Sequence, residues 1–147
     1  STSRRQRQMC IRDSYWDRFE LDSLKEMNFN ESEIEKCTVQ KGDLLVCEGG
    51  DVGRAAIWNY DNEIRIQNHI HKLRPYSEVS VLLYYYVFYY YKLTDRINGK
   101  GIGIQGLSSN QLHNIFLPFP PLNEQKRIAD KVSQLFSLLD SIADNVN

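Results

Sequence analysis

The chain has 147 residues, of which 41% are hydrophobic and 25% charged, and this predicts one globular domain with a core of its own. Its 18 lysines and arginines nearly balance 19 aspartates and glutamates, which excludes a global attraction to nucleic acid or membrane and requires a local patch for either. Three cysteines without a CxxC spacing argue against disulfides and zinc thiolates and fit a reducing cytoplasm, and no apolar run approaches the ~20 residues of a membrane span.

Residues 1–14 show neither helical nor strand periodicity and resemble the translated adapter sequence that contaminates some assembled reading frames. We therefore predict that they are not native and leave them out of the fold prediction, so that the natural sequence resumes near Tyr15 with its beginning missing. A basic arm for phosphates is the alternative. Residues 20–36 alternate charge with sparse apolar residues and predict a short surface helix or helix pair, broken at Asn28 and Asn30.

Two continuous apolar runs, residues 44–47 and 55–58, predict buried strands. The glycines between them, Gly49, Gly50 and Gly53, predict a tight loop that another molecule can approach closely. A third strand is predicted within residues 64–75, where Asn68, Ile70, Lys72 and Arg74 alternate with His69, His71 and Leu73.

Ser77 is predicted to cap a helix, with Glu78 in its first turn. Its aromatic run, residues 84–91, contains six tyrosines. Base stacking is one interpretation of these rings, but a core-facing helix is favoured because the apolar residues share one side. Residues 98–110 predict a glycine-rich loop, and residues 115–119 a last strand.

The C-terminal quarter predicts a helix after three prolines, which end the preceding strand and direct the helix away from it. Apolar residues in this spacer helix, residues 121–147, recur every three or four positions, which is typical of pairing with another helix. Docking on its own domain is the alternative, since Phe136 and Leu138 widen the apolar stripe. The predicted helix-pairing residues are Ile128, Val132, Leu135, Leu139, Ile142 and Val146.

No catalytic residue and no metal site are predicted. Neither glycine cluster has the sequence context of a phosphate-binding loop, and His69 and His71 lack carboxylate or thiolate neighbours as metal ligands. Polar side chains that can read base edges or hold phosphates concentrate instead in two loops and one strand, with no acidic residue from 65 to 74. The predicted DNA-binding residues are Arg54, Arg65, Gln67, Asn68, His69, His71, Lys72, Arg74, Lys100, Gln105 and Ser108.

Four segments carry a family resemblance, which covers roughly residues 34–147. They are residues 41–57, which begin KGDLLV and continue with the glycine loop; residues 67–74, QNHIHKLR; residues 103–108, GIQGLS; and residues 117–128, LPFPPLNEQKRI. Together they resemble a target-recognition domain, with its following spacer helix, of the specificity subunit of type I restriction-modification enzymes.

The resemblance implies an α+β fold: a mixed-sheet recognition domain, residues 15–120 and truncated at its start, followed by a long coiled-coil-forming helix. It implies non-catalytic reading of one half of a split double-stranded DNA target in the major groove. The implied partners are methyltransferase subunits, a restriction subunit, and a second recognition domain or a second copy through the spacer helix, with no membrane. No cofactor is expected in this chain; adenosylmethionine, ATP and magnesium are expected on the partner subunits.

Two other functions stay open on the sequence alone. One is the recognition-domain tail of a fused methyltransferase-nuclease, whose active sites would lie upstream of these residues. The other is a protein-interaction module in which only the helix functions. A half-size subunit that dimerises and a fragment of a longer subunit both fit the single set of motifs, and the truncated start favours the fragment.

Overall fold

The computed structural model describes residues 5–10, 20–28, 31–66, 69–97 and 106–146, with side chains described for 33–66, 69–97 and 106–145. Strands and helices alternate irregularly before the long last helix. In chain order the elements are β1 (Arg5–Cys10), β2 (Glu20–Asn28), α1 (Glu31–Cys37), β3 (Thr38–Val39), β4 (Leu44–Cys47), β5 (Ala55–Ile57), β6 (Ile64–Ile66), β7 (Ile70–Leu73), α2 (Val81–Leu93), α3 (Ser109–His113) and α4 (Leu122–Val146).

The strands form two small sheets. The first has the order β2-β1-β6-β3 and is mixed, since β1 runs antiparallel to β2 and parallel to β6. The second has the order β5-β4-β7 and is antiparallel, with Leu45 opposite both Ala56 and Lys72. Two sheets with helices and a long C-terminal helix confirm the predicted α+β class.

Strand β4 is buried on both of its faces. Leu45 and Cys47 pack in one apolar cluster with Trp58, whereas Leu44 and Val46 pack in a second cluster on the side of α2. Successive side chains of a strand point to opposite faces, so a strand covered on both sides needs a continuous apolar run. The buried strand predicted here is confirmed.

Helix α2 covers the second cluster with its aromatic side chains. It begins at Val81, because the Ser80 hydroxyl caps it by accepting the amide of Leu83 at 3.4 Å, and the prediction of a cap at Ser77 is wrong. Phe88 is fully buried and most of the tyrosines are half-buried. The structure therefore agrees with the core interpretation of the aromatic run.

The first half of α4 docks against α2. The Gln125 side chain, only 2% exposed, accepts the amide of Ser80 at 2.9 Å and donates to the carbonyl of Pro120 at 2.8 Å. Further along, the ring of Phe136 stacks on Tyr86 with centroids 5.7 Å apart. Beyond that contact the helix is exposed, so docking describes its first half and a projecting arm its second. Among the described helices none is long and apolar enough to cross a membrane.

The helix or helix pair predicted over residues 20–36 is wrong in its first part and agrees with α1 in its second. Residues 20–28 form β2 rather than a surface helix, because pairing along β1 overrides their helix-like apolar spacing. This strand ends at Asn28, and Asn30 lies outside the described residues. Residues 5–10, which the fold prediction left out, form β1 in the structure, and their non-native origin stays a prediction.

Two later strand predictions also need correction. Residues 64–75 form two strands rather than one, since β6 belongs to the first sheet and β7 to the second. Residues 115–121 have no regular secondary structure, because the prolines within them cannot donate to a strand ladder. The carbonyl of Phe116 instead accepts the hydroxyl of Tyr91 at 2.7 Å.

Candidate nucleic-acid interface

Three segments that are distant in the sequence meet beside the end of β4, and we call them the three-loop cluster: residues 48–53, 69–71 and 106–108. Backbone hydrogen bonds join them, since the amide of Glu48 donates to the carbonyl of His69 at 2.8 Å and the amide of Leu107 donates to the carbonyl of Glu48 at 2.7 Å. The cluster thus brings together parts of three of the four segments that carry the family resemblance.

The His71 side chain ties the second of these segments to the third. Its Nε2 lies 2.5 Å from the carbonyl oxygen of Leu107. A carbonyl only accepts, so this ring nitrogen carries the hydrogen. Gly106 also lies close to the first segment, because a Cβ there would come within 3.1 Å of the Glu48 carbonyl oxygen. His71 therefore holds a loop in place, while its predicted DNA contact stays a prediction.

The first segment of the cluster, residues 48–53, is the glycine loop, and it needs Gly50 and Gly53 for two different reasons. Gly50 and Gly53 have φ of +71° and +77°, a conformation that side chains with a Cβ rarely adopt. At Gly53 space is also limited, since a Cβ would lie 2.8 Å from a side-chain carbon of Ile97, whereas at Gly50 it would meet nothing within 4 Å. Gly53 thus packs the base of the loop on the body, and Gly50 turns its outer end.

Arg54 lies beneath the loop rather than on its surface. It is 8% exposed, and its guanidinium lies 3.6 Å from the carboxylate of Asp51. Its carbonyl accepts the amide of Cys47 at 2.8 Å and closes the base of the loop. This geometry supports a structural role for Arg54, and its predicted DNA contact stays untested.

Two of the predicted DNA-binding residues present exposed side chains in the cluster. His69 is exposed next to the glycine loop, where its Nδ1 lies 4.0 Å from the position of a Cβ on Gly49. Ser108 is exposed and caps α3, with its hydroxyl accepting the amide of Gln111 at 3.3 Å. Both side chains can hydrogen-bond to base edges or phosphates.

Lys72 and Arg74 lie at the opposite end of β7 and are engaged in the fold. The Arg74 guanidinium donates to both carboxylate oxygens of Asp43, at 2.7 and 2.6 Å, and these hydrogen bonds raise the pKa of Arg74. The Lys72 ammonium donates to the carbonyls of Thr38 at 2.9 Å and Glu35 at 3.1 Å, next to the C-terminus of α1. Burial, with the nearby charge of Arg74, lowers the pKa of Lys72.

The remaining DNA-binding candidates divide into one described residue and four others. Arg65 is half-buried in β6, opposite Thr38, and its Nε is buried without a hydrogen-bond partner. Arg65 thus belongs to the first sheet, whereas Ile70 and His71 of the three-loop cluster belong to the second. Four candidates lie outside the described residues: Gln67, Asn68, Lys100 and Gln105.

The predicted helix-pairing residues of α4 whose side chains are described are half-buried in the first half of the helix and exposed in the second half. Ile128 and Val132 are half-buried and line a groove with α2. Farther along, Leu135, Leu139 and Ile142 are 52%, 60% and 58% exposed. The side chain of Val146 lies outside the described part of the chain. An apolar stripe therefore remains uncovered on the second half of α4.

No group of three or more His, Cys, Asp or Glu side chains within the described ranges is placed to hold a metal ion. In the three-loop cluster, His71 contacts the carbonyl of Leu107, and His69 lies beside Gly49. What the surface offers is a rigid frame of backbone hydrogen bonds that presents a few exposed polar side chains.

A family model described as type I restriction modification DNA specificity domain matches residues 18–147. The chain belongs to this family. It is 27% identical over 118 residues to the type I restriction enzyme EcoBI specificity subunit of Escherichia coli, covering 78% of this chain and 25% of that protein. It is also 27% identical over 107 residues to a putative type I restriction enzyme specificity subunit of Haemophilus influenzae, covering 73% and 27%.

Solved structures show the same fold. A chain from a study of complex assembly and conformational transition of the type I R-M system superimposes with a TM-score of 0.62 at 23% identity, covering 72% of this chain and 26% of that one. The HsdS subunit of Thermoanaerobacter tengcongensis gives 0.61 at 22% identity, covering 74% and 25%. The chain thus spans about a quarter of its relatives' length. Family membership confirms the predicted resemblance to a DNA specificity domain of type I restriction-modification enzymes.

Proposed function

We propose that this chain recognises one half of a bipartite double-stranded DNA target, with the three-loop cluster facing the major groove. The observation that carries the proposal is the convergence of residues 48–53, 69–71 and 106–108 at one end of β4, joined by backbone hydrogen bonds. These segments belong to different parts of the sequence, yet each contains part of a family motif.

The chemistry of the cluster supports recognition rather than a reaction. Exposed His69 and Ser108 offer hydrogen-bond donors and acceptors that suit base edges and phosphates. A frame held by main-chain hydrogen bonds and by the His71 ring keeps these groups in a defined geometry, which a reader of base edges requires.

Three of the candidate cations are engaged in contacts within the fold, and this narrows the set of residues proposed to contact bases. Lys72 and Arg74 hold the α1 end of the second sheet, and Arg54 lies beneath the glycine loop. We therefore place the reading of bases on His69, Ser108 and the candidates that adjoin the cluster in sequence, namely Gln67, Asn68 and Gln105. Lys100 is a candidate for phosphate contact.

We propose that α4 is the spacer helix of the recognition unit. Its exposed stripe, which includes Leu135, Leu139 and Ile142, is apolar enough to need a covering partner. That partner would be the spacer helix of a second recognition domain or of a second copy of the chain. Methyltransferase subunits with adenosylmethionine, and a restriction subunit with ATP and magnesium, would assemble around such a unit.

Binding titrations with two DNA duplexes test the proposal. The full chain is titrated with the duplex it prefers and with a scrambled duplex, both about two helical turns long. We expect His69→Ala to lower affinity for the preferred duplex by about 1–3 kcal/mol and to leave the scrambled duplex unaffected, because a base contact is lost. Lys41→Met, which removes an exposed pair with Asp61 at the far end of β4, is the matched control and should bind as the wild type does.

Two results would contradict this proposal. Folded wild-type chain that shows no preference between the duplexes at low salt would leave the loops without a recognition role, as in a module that functions only through its helix. Equal losses for the two duplexes on His69→Ala would instead make this residue a phosphate contact, since such contacts weaken all sequences alike.

A further inference from the structure

We infer that Lys92 is a positioning residue for DNA recognition, which holds the glycine loop in its binding conformation through Asp51. The inference rests on the proposed function, because it assigns a role within the same three-loop cluster. Lys92 lies in the last turn of α2, some forty positions beyond the loop, and belongs to none of the motif segments.

The contacts of Lys92 are directed at the loop. Its ammonium donates to the carbonyl of Val52 at 2.7 Å and forms a close ion pair with one carboxylate oxygen of Asp51. The other carboxylate oxygen of Asp51 lies 3.6 Å from the guanidinium of Arg54. The Asp51 carboxylate therefore lies between two cations, Lys92 of α2 and Arg54, which directly precedes β5.

The low exposure of the Lys92 side chain favours support of the loop over direct contact with DNA, and we call its contacts with Asp51 and Val52 the brace. Its side chain is 18% exposed, whereas the side chain of Asp51 is 50% exposed. A lysine buried to this degree needs partners for its charge, and here both known partners belong to the loop.

The side-chain contacts of Lys92 add to the backbone hydrogen bonds that already attach the loop to the body. At its base, the amide of Gly53 donates to the carbonyl of Cys47 at 2.9 Å, and Gly53 packs on Ile97. Neither of these contacts involves the side chain of Asp51, next to the turn at Gly50. Lys92 therefore holds Asp51 and Val52, in the arm of the loop opposite Gly49, the residue beside which His69 lies.

The brace also controls charge on the proposed DNA-facing surface. Residues 48–53 contain two acidic residues, Glu48 and Asp51. The carboxylate of Asp51 would repel DNA phosphates if no cation balanced its charge. Geometry and charge must therefore be separated in a test. The pair allows this, because replacing Lys92 and Asp51 together by neutral residues keeps the net charge of the wild type.

Three variants of the full chain test the inference: Lys92→Met, Lys92→Arg, and Asp51→Asn combined with Lys92→Met. Binding to the wild type's preferred duplex is measured across a range of salt concentrations at a temperature where unfolding experiments show every variant folded. We expect Lys92→Met and the charge-neutral double variant each to lose about tenfold or more in affinity, because loop geometry is lost in both. Lys92→Arg should recover most of the affinity.

The salt dependence separates positioning from direct contact. A positioning residue leaves the slope of log Kobs against log salt unchanged in the charge-neutral double variant, whereas a lost phosphate contact reduces it by about one. Hydrogen exchange should also quicken in residues 49–53 of Lys92→Met, and not in β4 of the same variant.

Several results would overturn the inference. A charge-neutral double variant with wild-type affinity would show that Lys92 acts only by charge, and a slope reduced by one would make it a phosphate contact. Unchanged affinity and exchange in Lys92→Met would remove the brace altogether while leaving the proposed function standing. The proposed function fails separately, when the wild type itself shows no sequence preference.

Discussion

Replacement of Arg74 by Met should lower the stability of the domain without directly affecting DNA recognition. Arg74 donates two hydrogen bonds, at 2.7 and 2.6 Å, to the carboxylate of Asp43. Asp43 is 2% exposed and also accepts the amide of Gln40 at 2.8 Å, so it closes the turn that leads into β4. The substitution leaves a buried carboxylate without its cation.

The size of the effect follows from these contacts. Removing one partner of a buried ion pair costs about 3–5 kcal/mol. The Arg74 side chain is 41% exposed, so water can reach Asp43 once the guanidinium is gone, and the Gln40 amide remains. We therefore expect a loss of about 2–3 kcal/mol in the free energy of unfolding, below the full range for a buried pair.

Urea unfolding followed by circular dichroism measures this loss, with Lys41→Met as the control. Lys41 pairs with Asp61 near the same turn, but their side chains are 60% and 90% exposed, so its removal should change stability by about 0.5 kcal/mol or less. Equal stabilities for Arg74→Met and Lys41→Met would refute the structural role. Wild-type stability with lost DNA affinity would instead establish Arg74 as the DNA contact predicted from the sequence.

Three further outcomes are expected. Gly53→Ala should lower the free energy of thermal unfolding by about 2–4 kcal/mol, because it adds a steric clash to an unfavourable φ, whereas Gly50→Ala, with open space around it, should lose only about 1 kcal/mol; equal losses would contradict this. Gln125→Leu should lose about 1–3 kcal/mol in the same assay, since two backbone groups lose a buried partner, and wild-type stability would show that the amide is dispensable. Leu135→Glu with Leu139→Glu should reduce self-association in analytical ultracentrifugation and leave the domain folded; unfolding of the domain would mean that this half of α4 is core.

Local patterns were sufficient where one element determines its own burial. The run at Leu44–Cys47 predicted a buried strand because a strand covered on both faces must be apolar throughout. The prolines before Leu122 marked the start of α4 for a similar reason, since proline ends a strand and is tolerated at the entrance of a helix.

Other features depend on partners that no local pattern reveals. Residues 20–28 have helix-like spacing, but pairing with β1 makes them a strand. The ion pair of Lys92 with Asp51 joins α2 to the glycine loop, and the sequence between them contains no signal for it. Arg74 and Lys72 lie in a segment free of acidic residues, and the sequence did not indicate that Asp43 and the carbonyls at the end of α1 would accept hydrogen bonds from them; their predicted DNA contacts stay predictions.

Selection from a pool of random duplexes tests the central claim most directly. The full chain is incubated at low salt with duplexes of about two helical turns, and the bound fraction is sequenced after several rounds. The account predicts enrichment of one short contiguous motif, the half-site, and a change at a defined position of that motif for His69→Ala. A bound pool with no common motif, obtained with folded chain, would contradict it.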